Sequence, residues 1–98
     1  MKYNAHFPNH SSEKKFQKGL EAIHSQKIQD EIMKAVESLA NHPRPHGEPK
    51  IKPPLIVYQF TAQCRVRVGD YRVLYDVDDK KKVVWILALR KRNERTYN

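Results

Sequence analysis

Hydrophobic positions follow helical spacing in the first half of the chain and strand spacing in the second half. Phe16, Leu20 and Ile23 recur three or four residues apart after the cap-forming stretch 9–12, and they predict a first amphipathic helix. A second helix is predicted from about Ser25. Its apolar stripe consists of Ile28, Ile32, Val36 and Leu39. Because each stripe is too narrow for a helix that is buried all round, both helices are expected to cover one side of a sheet.

Strand patterns precede and follow the helices. Residues 1–7 alternate weakly and predict a short first strand that ends before Pro8. The stretch 41–54 holds five of the six prolines and is predicted to be a loop. Residues 55–60 are rich in β-forming residues, and they fit either a short separate strand or the beginning of a long bent one. The apolar run 83–89 has the pattern of a central strand that is covered on both faces.

The most informative segment is the β-hairpin predicted for residues 64–75. Gly69-Asp70 separates two β-rich runs, and Gly fits the positive φ of a two-residue type II′ turn. That turn places Arg67 opposite Arg72 and puts both on one face with Arg65, while the other face carries Val66, Val68, Tyr71 and Val73. Like charges directly opposite each other destabilise a sheet, so this face is expected to bind a polyanion.

The charge of the whole chain agrees with an anionic partner. Among 98 residues there are 19 Lys and Arg against 11 Asp and Glu, a formal net charge of +8. Such a balance favours nucleic acid, an acidic protein or an anionic membrane surface. No apolar run has the length of a signal peptide core or a membrane span, and the single cysteine, Cys64, is expected to be a small buried residue. We therefore expect a cytoplasmic protein that does not interact with membranes.

Two further groups of residues invite a functional interpretation. The basic run 90–92 directly follows the most apolar strand, so it should emerge at a fixed place beside the sheet; Tyr97 near it could stack on a base. Taken alone, each of these features is more often a solvated terminus or surface residue. The five histidines lack the spacing of a zinc site, and no phosphate-binding glycine loop is present, so neither a metal nor a cofactor is expected.

The hairpin, the acidic turn, the apolar strand and the basic C-terminal run together resemble the RelE toxins of the RelE/ParE toxin–antitoxin superfamily. The resemblance covers nearly the whole chain and is most specific in its last third. It implies a first strand, a helical hairpin and a three-stranded antiparallel run. We therefore expect one α+β domain over residues 1–98, in the order β-α-α-β-β-β, with an antiparallel sheet of about four strands packed against the N-terminal helical hairpin.

The resemblance also implies an activity: ribosome-dependent cleavage of mRNA in the A site, without a metal or small-molecule cofactor, held in check by an acidic RelB-like antitoxin. The catalytic residues carried over by position are Arg65, Arg67, Arg72, Arg92 and Tyr97. Further RNA-binding residues are expected at Lys50, Lys52, Arg90, Lys91 and Arg95. Family members often have lysine at the positions of Arg65 and Arg67, and arginine cannot readily release a proton to act as a base.

Two alternatives remain open from the sequence. ParE proteins share the scaffold but bind DNA gyrase and lack the basic catalytic set. A simple nucleic-acid-binding module could use the same arginines to bind phosphate without any chemistry. In addition, Lys50-Ile51-Lys52 imitates the basic strand motif of RelE, although Pro53-Pro54 argues against that register because prolines do not occur within a paired central strand.

Overall fold

The computed structural model describes residues 2–44 and 50–91, and at residues 50, 52 and 53 it describes the backbone alone. Within these residues the chain forms two helices and five strands. The elements are β1 (Asn4–His6), α1 (His10–Glu21), α2 (Gln26–Ser38), β2 (Lys50–Val57), β3 (Phe60–Val68), β4 (Tyr71–Asp78) and β5 (Val83–Lys91). Neither described helix has the length and apolar character that a membrane crossing requires.

Both helices begin where the sequence predicts them. The side chain of Asn9 accepts a hydrogen bond from the backbone N–H of Ser12 at 2.8 Å, and the hydroxyl of Ser25 accepts one from the N–H of Ile28 at 3.2 Å. Each cap satisfies one of the backbone donors that a helix leaves without a partner in its first turn. The break between the helices is therefore fixed by local chemistry.

The sheet has the strand order β1-β5-β4-β3-β2. The last four strands of the chain pair antiparallel with their sequence neighbours, whereas β1 lies parallel to β5 at the other edge. The predicted α+β class and the packing of a sheet on two N-terminal helices are confirmed. The sheet has one strand more than predicted, and it is mixed because β1 runs parallel to its neighbour.

The additional strand corrects the prediction for residues 50–54. This segment is part of β2, and it is therefore not a loop: Lys50 pairs with Cys64, and Leu55 pairs with Ala62 after a register shift. Proline lacks an N–H donor, and it is tolerated here because β2 is an edge strand whose register shifts between Lys50 and Leu55. Strand β2 ends at Val57 and β3 begins at Phe60, so residues 55–60 form neither of the two arrangements that the sequence left open.

The sheet buries side chains on both faces. On the first face the apolar stripes of α1 and α2 pack on the strands, with Phe16 and Ile32 at most 1% exposed. The strands contribute Cys64, Val66, Val73, Tyr75, Val84 and Ile86 to this core. The burial of β5 agrees with its position between β1 and β4, and it confirms the predicted central strand.

The second face is covered in part by the β2–β3 hairpin. Ile51, Val57 and Ala62 of the hairpin are buried together with three residues of β4 and β5, namely Leu74, Leu87 and Ala88. These last residues lie in the middle of the sheet, so the hairpin bends over this face instead of extending it as a flat edge. The part of the face beyond the hairpin, toward the end of β5, is where the arginines lie.

Candidate functional site: a row of arginines across three strands

The β3–β4 hairpin has the register predicted from its turn. Gly69 has φ 59°, as the first central position of a type II′ turn requires, and Val68 pairs with Tyr71. Arg67 is consequently the direct partner of Arg72, and Arg65 is the partner of Leu74. Val66 and Val73 lie in the helix-side core. Because side chains alternate along a strand, the arginines lie on the second face, as predicted.

A third strand extends this pair into a row. Arg72 is also the direct partner of Arg90 on β5, so Arg67, Arg72 and Arg90 occupy one line across β3, β4 and β5. The alignment depends on an irregularity: Leu74 pairs with Ala88 while Tyr75 pairs with Ile86, which leaves Leu87 as an additional residue in β5. The bulge shifts the register so that Arg90 falls opposite Arg72.

The arginines of this row differ in exposure. Arg72 is central and only 9% exposed, whereas Arg67 and Arg90 are exposed at its two ends. Arg65 is exposed on β3, one side-chain row away and opposite buried Leu74. Within residues 2–44 and 50–91, no carboxylate forms an ion pair with Arg65, Arg67 or Arg90. Arg67 and Arg90 therefore present exposed positive charge in a fixed line on either side of Arg72, which suits a phosphate backbone.

An aromatic residue that the sequence analysis did not single out lies beside Arg90. Tyr58 is at the tip of the β2–β3 hairpin, and its ring centroid is 5.9 Å from Cζ of Arg90 and 4.0 Å from Nζ of Lys15 in α1. Its φ of 61° is unusual for a residue with a side chain. The sequence signal was available in principle, since Tyr58-Gln59 separates two β-rich runs by two residues.

A shallow pocket of about 280 Å³ lies beside the beginning of β3. It is lined by Pro8, Phe60, Thr61, Asp76, Trp85 and Leu87. Its acidic group, Asp76, accepts a long hydrogen bond of 3.5 Å from Gln63. None of these lining residues is an arginine, so the pocket is not part of the basic site.

A cluster of hydrogen bonds away from the arginine row connects the segment after α2 to the β4–β5 turn. Both carboxylate oxygens of Asp79 accept hydrogen bonds from Arg44, at 3.2 and 3.0 Å, and the Tyr3 hydroxyl donates to Asp79 at 2.7 Å. The bonds from Arg44 and Tyr3 lower the pKa of the Asp79 carboxyl, while the bond to Asp79 raises the pKa of the Tyr3 phenol. The Tyr75 hydroxyl also donates to the carbonyl of Pro43 at 2.7 Å.

The remaining predicted site residues fall into three groups. Lys91 pairs with Tyr71, which packs on the helix-side core, so Lys91 does not belong to the row of Arg67, Arg72 and Arg90. The backbone of Lys50 and Lys52 lies in β2, on the edge strand next to β3. The predicted residues Arg92, Arg95 and Tyr97 lie outside the described residues.

Comparison with known proteins assigns the chain to a family. The profile of the "ParE toxin of type II toxin-antitoxin system, parDE" matches residues 12–96, which include α1 from its third residue, all of α2, strands β2 to β5 and the whole arginine row. The chain belongs to the ParE toxin family. It is thus a toxin of a type II toxin–antitoxin system, and the resemblance to the RelE/ParE superfamily is confirmed. No curated protein matches the sequence of this ParE-family toxin.

The solved structures to which this chain is similar include RelE toxins and complexes that contain them. The archaeal RelE–RelB complex from Pyrococcus horikoshii OT3 contains a chain that is 26% identical, with a TM-score of 0.69, and the match covers 95% of this toxin and 98% of that chain. The RelBE2 complex of Mycobacterium tuberculosis contains a match with 22% identity and a TM-score of 0.62, which covers 94% of this toxin and 100% of that chain.

A free mutant form of Escherichia coli RelE is similar at 22% identity with a TM-score of 0.59, and the match covers 93% of this toxin and 84% of that chain. At these identities the Mycobacterium and Escherichia structures establish the fold alone. The Pyrococcus match comes from a RelE–RelB complex, and the Mycobacterium match comes from a toxin–antitoxin complex.

Proposed function

We propose that this toxin is a metal-independent endoribonuclease that cleaves mRNA in the ribosomal A site and so inhibits translation. The observation that carries the proposal is the row of Arg67, Arg72 and Arg90 across three strands, without an ion-pairing carboxylate on either exposed arginine among the described residues. Such a row costs folding stability, because like charges face each other twice. A bound phosphate backbone would offset that cost by neutralising the repulsion. The same row of arginines would then bind the RNA and take part in its cleavage.

In the proposed reaction the 2′-hydroxyl of the RNA attacks the adjacent phosphorus. The new P–O2′ bond forms as the P–O5′ bond breaks, which leaves a 2′,3′-cyclic phosphate and a free 5′-hydroxyl. The proton leaves the 2′-oxygen for a base, and another proton reaches the departing 5′-oxygen. The protein has to align the sugar and phosphate for in-line attack and to neutralise the negative charge that develops on the phosphorane.

The arginines fit the binding and charge-stabilising roles. Arg72 and Arg67 hold the phosphate, and Arg65, one row away, orients the 2′-oxygen. Because arginine keeps its proton in a protein, these side chains do not serve as the base. We assign stabilisation of the leaving oxygen to Arg92, and to Tyr97 either stacking on a base or a proton relay. Lys50, Lys52, Lys91 and Arg95 attract the RNA backbone, together with Arg90.

Single-turnover cleavage of mRNA on programmed ribosomes, measured together with the affinity of the toxin for the ribosome, tests this proposal. Arg72→Ala should lower the rate of mRNA cleavage by roughly a hundredfold while ribosome affinity changes far less, as for the loss of one preorganised donor to a developing oxyanion. Tyr97→Phe should retain most activity if the ring stacks on a base, and should lose it if the hydroxyl relays a proton. Equal losses of affinity and rate in Arg72→Ala would indicate a binding module without chemistry.

A second candidate function is inhibition of DNA gyrase, which the match to the ParE family profile favours. Expression of the toxin in growing cells separates the two candidates. Messenger cleavage predicts that translation stops first and that primer extension detects cuts within codons. Gyrase inhibition predicts that trapped gyrase and DNA damage appear first, while messages stay whole.

The antitoxin proposed for this toxin is a small acidic, RelB-like protein. The formal charge of +8 and the exposed arginines attract an acidic segment, which would either neutralise the row or displace the C-terminal segment 90–97. Salt at 1 M reduces the Debye length to about 3 Å, so the affinity should fall as salt is added. Purification of the toxin from its native operon without an acidic partner would argue against this proposal.

A further inference from the structure

We propose that Tyr58 is a positioning residue of the RNA site, whose ring holds Arg90 at the end of the arginine row where it can bind phosphate. The inference rests on the proposed function in that it takes RNA as the ligand. It adds a residue from outside the basic set, on an element that the sequence predicted only as part of an undefined β-rich segment. It also connects helix α1 to the site through Lys15.

The first observation is the contact itself. Arg90 is an exposed residue near the end of β5, and its long side chain would sample many rotamers unless a neighbour held it. The Tyr58 ring lies 5.9 Å from its Cζ, within the distance at which a guanidinium is attracted to an aromatic face. Tyr58 therefore reduces the freedom of the one arginine of the row that β5 contributes.

The second observation is the backbone of Tyr58. The hairpin turn has two central residues, since Val57 pairs with Phe60, and its first central residue is Tyr58 with φ 61°. Glycine is the residue that adopts this conformation without steric cost, as Gly69 does in the equivalent turn between β3 and β4. A tyrosine in this position costs stability, and such strain is typical of residues that are placed for function.

The third observation is that the β2–β3 hairpin is packed against the sheet just before its tip. Val57, the residue before Tyr58, is 2% exposed and packs with Ala62 against Leu74, Leu87 and Ala88 of the sheet. The tip is therefore fixed relative to β5. Tyr58 as a whole remains 43% exposed, so it does not contribute to a buried core.

The fourth observation is that a second cation, Lys15 of α1, also lies against the Tyr58 ring. Nζ of Lys15 lies 4.0 Å from the same ring centroid, so Tyr58 gathers two cations from distant parts of the chain. Two positive charges beside one ring repel each other, and a phosphate between them removes that repulsion. The Tyr58 ring therefore brings a basic residue of α1 close to the β5 end of the arginine row.

A double-mutant cycle on RNA binding tests the inference. Tyr58→Leu removes the aromatic ring but keeps a side chain at this turn position, so the backbone strain remains. This variant should bind a single-stranded RNA oligonucleotide about fivefold more weakly. In an Arg90→Ala background the same change should have a much smaller effect, because only the contact with Lys15 is then left to lose. Tyr58→Phe should restore binding, and Gln59→Ala, in the same turn, is the matched control. An equal loss in both backgrounds would overturn the inference.

Two further measurements separate positioning from a structural role. Tyr58→Gly should unfold at the same or a higher temperature than the natural protein, because it relieves the turn, and yet it should bind RNA as weakly as Tyr58→Leu. In NMR spectra, the side-chain protons of Arg90 should be shifted upfield by the ring of Tyr58 and should lose this shift in Tyr58→Leu. The NMR measurement and RNA binding do not require cleavage. A chain that binds RNA but does not cleave it would therefore refute the proposed function alone, whereas an unshifted Arg90 would refute the role of Tyr58.

Discussion

Replacing Arg67 should make this toxin more stable and less active at the same time. Arg67 and Arg72 are direct cross-strand partners on the same face, and Arg72 is 9% exposed, so solvent screens the pair only in part. A like-charged pair of this kind costs roughly 0.2–1 kcal/mol. Two charges about 6 Å apart give the same order, about 0.7 kcal/mol in water and more at the lower effective dielectric of a partly buried site.

Arg67→Gln removes the repulsion and should raise the free energy of unfolding by roughly 0.2–1 kcal/mol. Arg67→Glu replaces it with an attraction of similar size, so the gain should be about 0.4–2 kcal/mol. For a domain of this length, that gain corresponds to a rise in melting temperature of roughly 2–15 °C. Both variants should lose RNA cleavage, because they remove one of the groups proposed to hold the phosphate.

Arg65→Glu is the matched control for stability. It introduces the same change on the same strand, but Arg65 faces Leu74, so its unfolding free energy should change by no more than about 0.5 kcal/mol. Thermal unfolding by circular dichroism, at low salt and in 1 M NaCl, measures the difference between the two variants. The advantage of Arg67→Glu should largely disappear at high salt. If Arg67→Glu is no more stable than Arg65→Glu at low salt, the argument that the arginine row opposes folding is wrong.

Three other predictions concern the scaffold. Ile32→Ala should lower the unfolding free energy by about 2–5 kcal/mol in denaturant titrations, because Ile32 of α2 is fully buried in the core between the helices and the sheet. Gly69→Ala should cost about 1–2 kcal/mol, through its φ of 59° and not through a clash, since an added Cβ would lie 3.7 Å from Cδ1 of Ile28. Because the pKa of Asp79 is lowered, its contribution to stability should be present above the usual carboxyl pKa of 3.8 and lost as pH falls through the lower folded value. Because the pKa of the Tyr3 phenol is raised, its contribution to stability should be present below the usual phenol pKa of 10.0 and lost as pH rises through the higher folded value. Melting temperatures measured against pH, for the wild-type protein and for Asp79→Asn, test both the acidic and the alkaline loss of stability.

Local pattern determined the helices and the β3–β4 hairpin. Asn9 and Ser25 cap the helices through hydrogen bonds that span three residues, and the Gly69 turn sets the register of its two strands. In each case the deciding interaction lies within a few residues along the chain. The position of Arg67 opposite Arg72 could therefore be predicted from sequence alone.

The prediction for residues 50–54 was wrong because proline content was given more weight than the position of the strand in the sheet. Pro53-Pro54 would break a central strand, but β2 lies at the edge, where a missing N–H donor costs little. Which strand lies at an edge is decided by the order of all five strands. Similarly, the parallel pairing of β1 with β5 joins residues about 80 positions apart, such as Asn4 and Val83, and no local pattern encodes it.

By itself, the sequence determined that the arginines of one hairpin share a face, because side-chain alternation and a two-residue turn act over short distances. Only the tertiary structure decided that Arg90 completes the row, since its register depends on the additional residue Leu87 in β5. It also decided that Tyr58 lies beside Arg90, because the burial of Val57 and Ala62 bends the hairpin over the sheet. Both outcomes depend on packing between segments far apart in the chain, which periodicity within a segment does not specify.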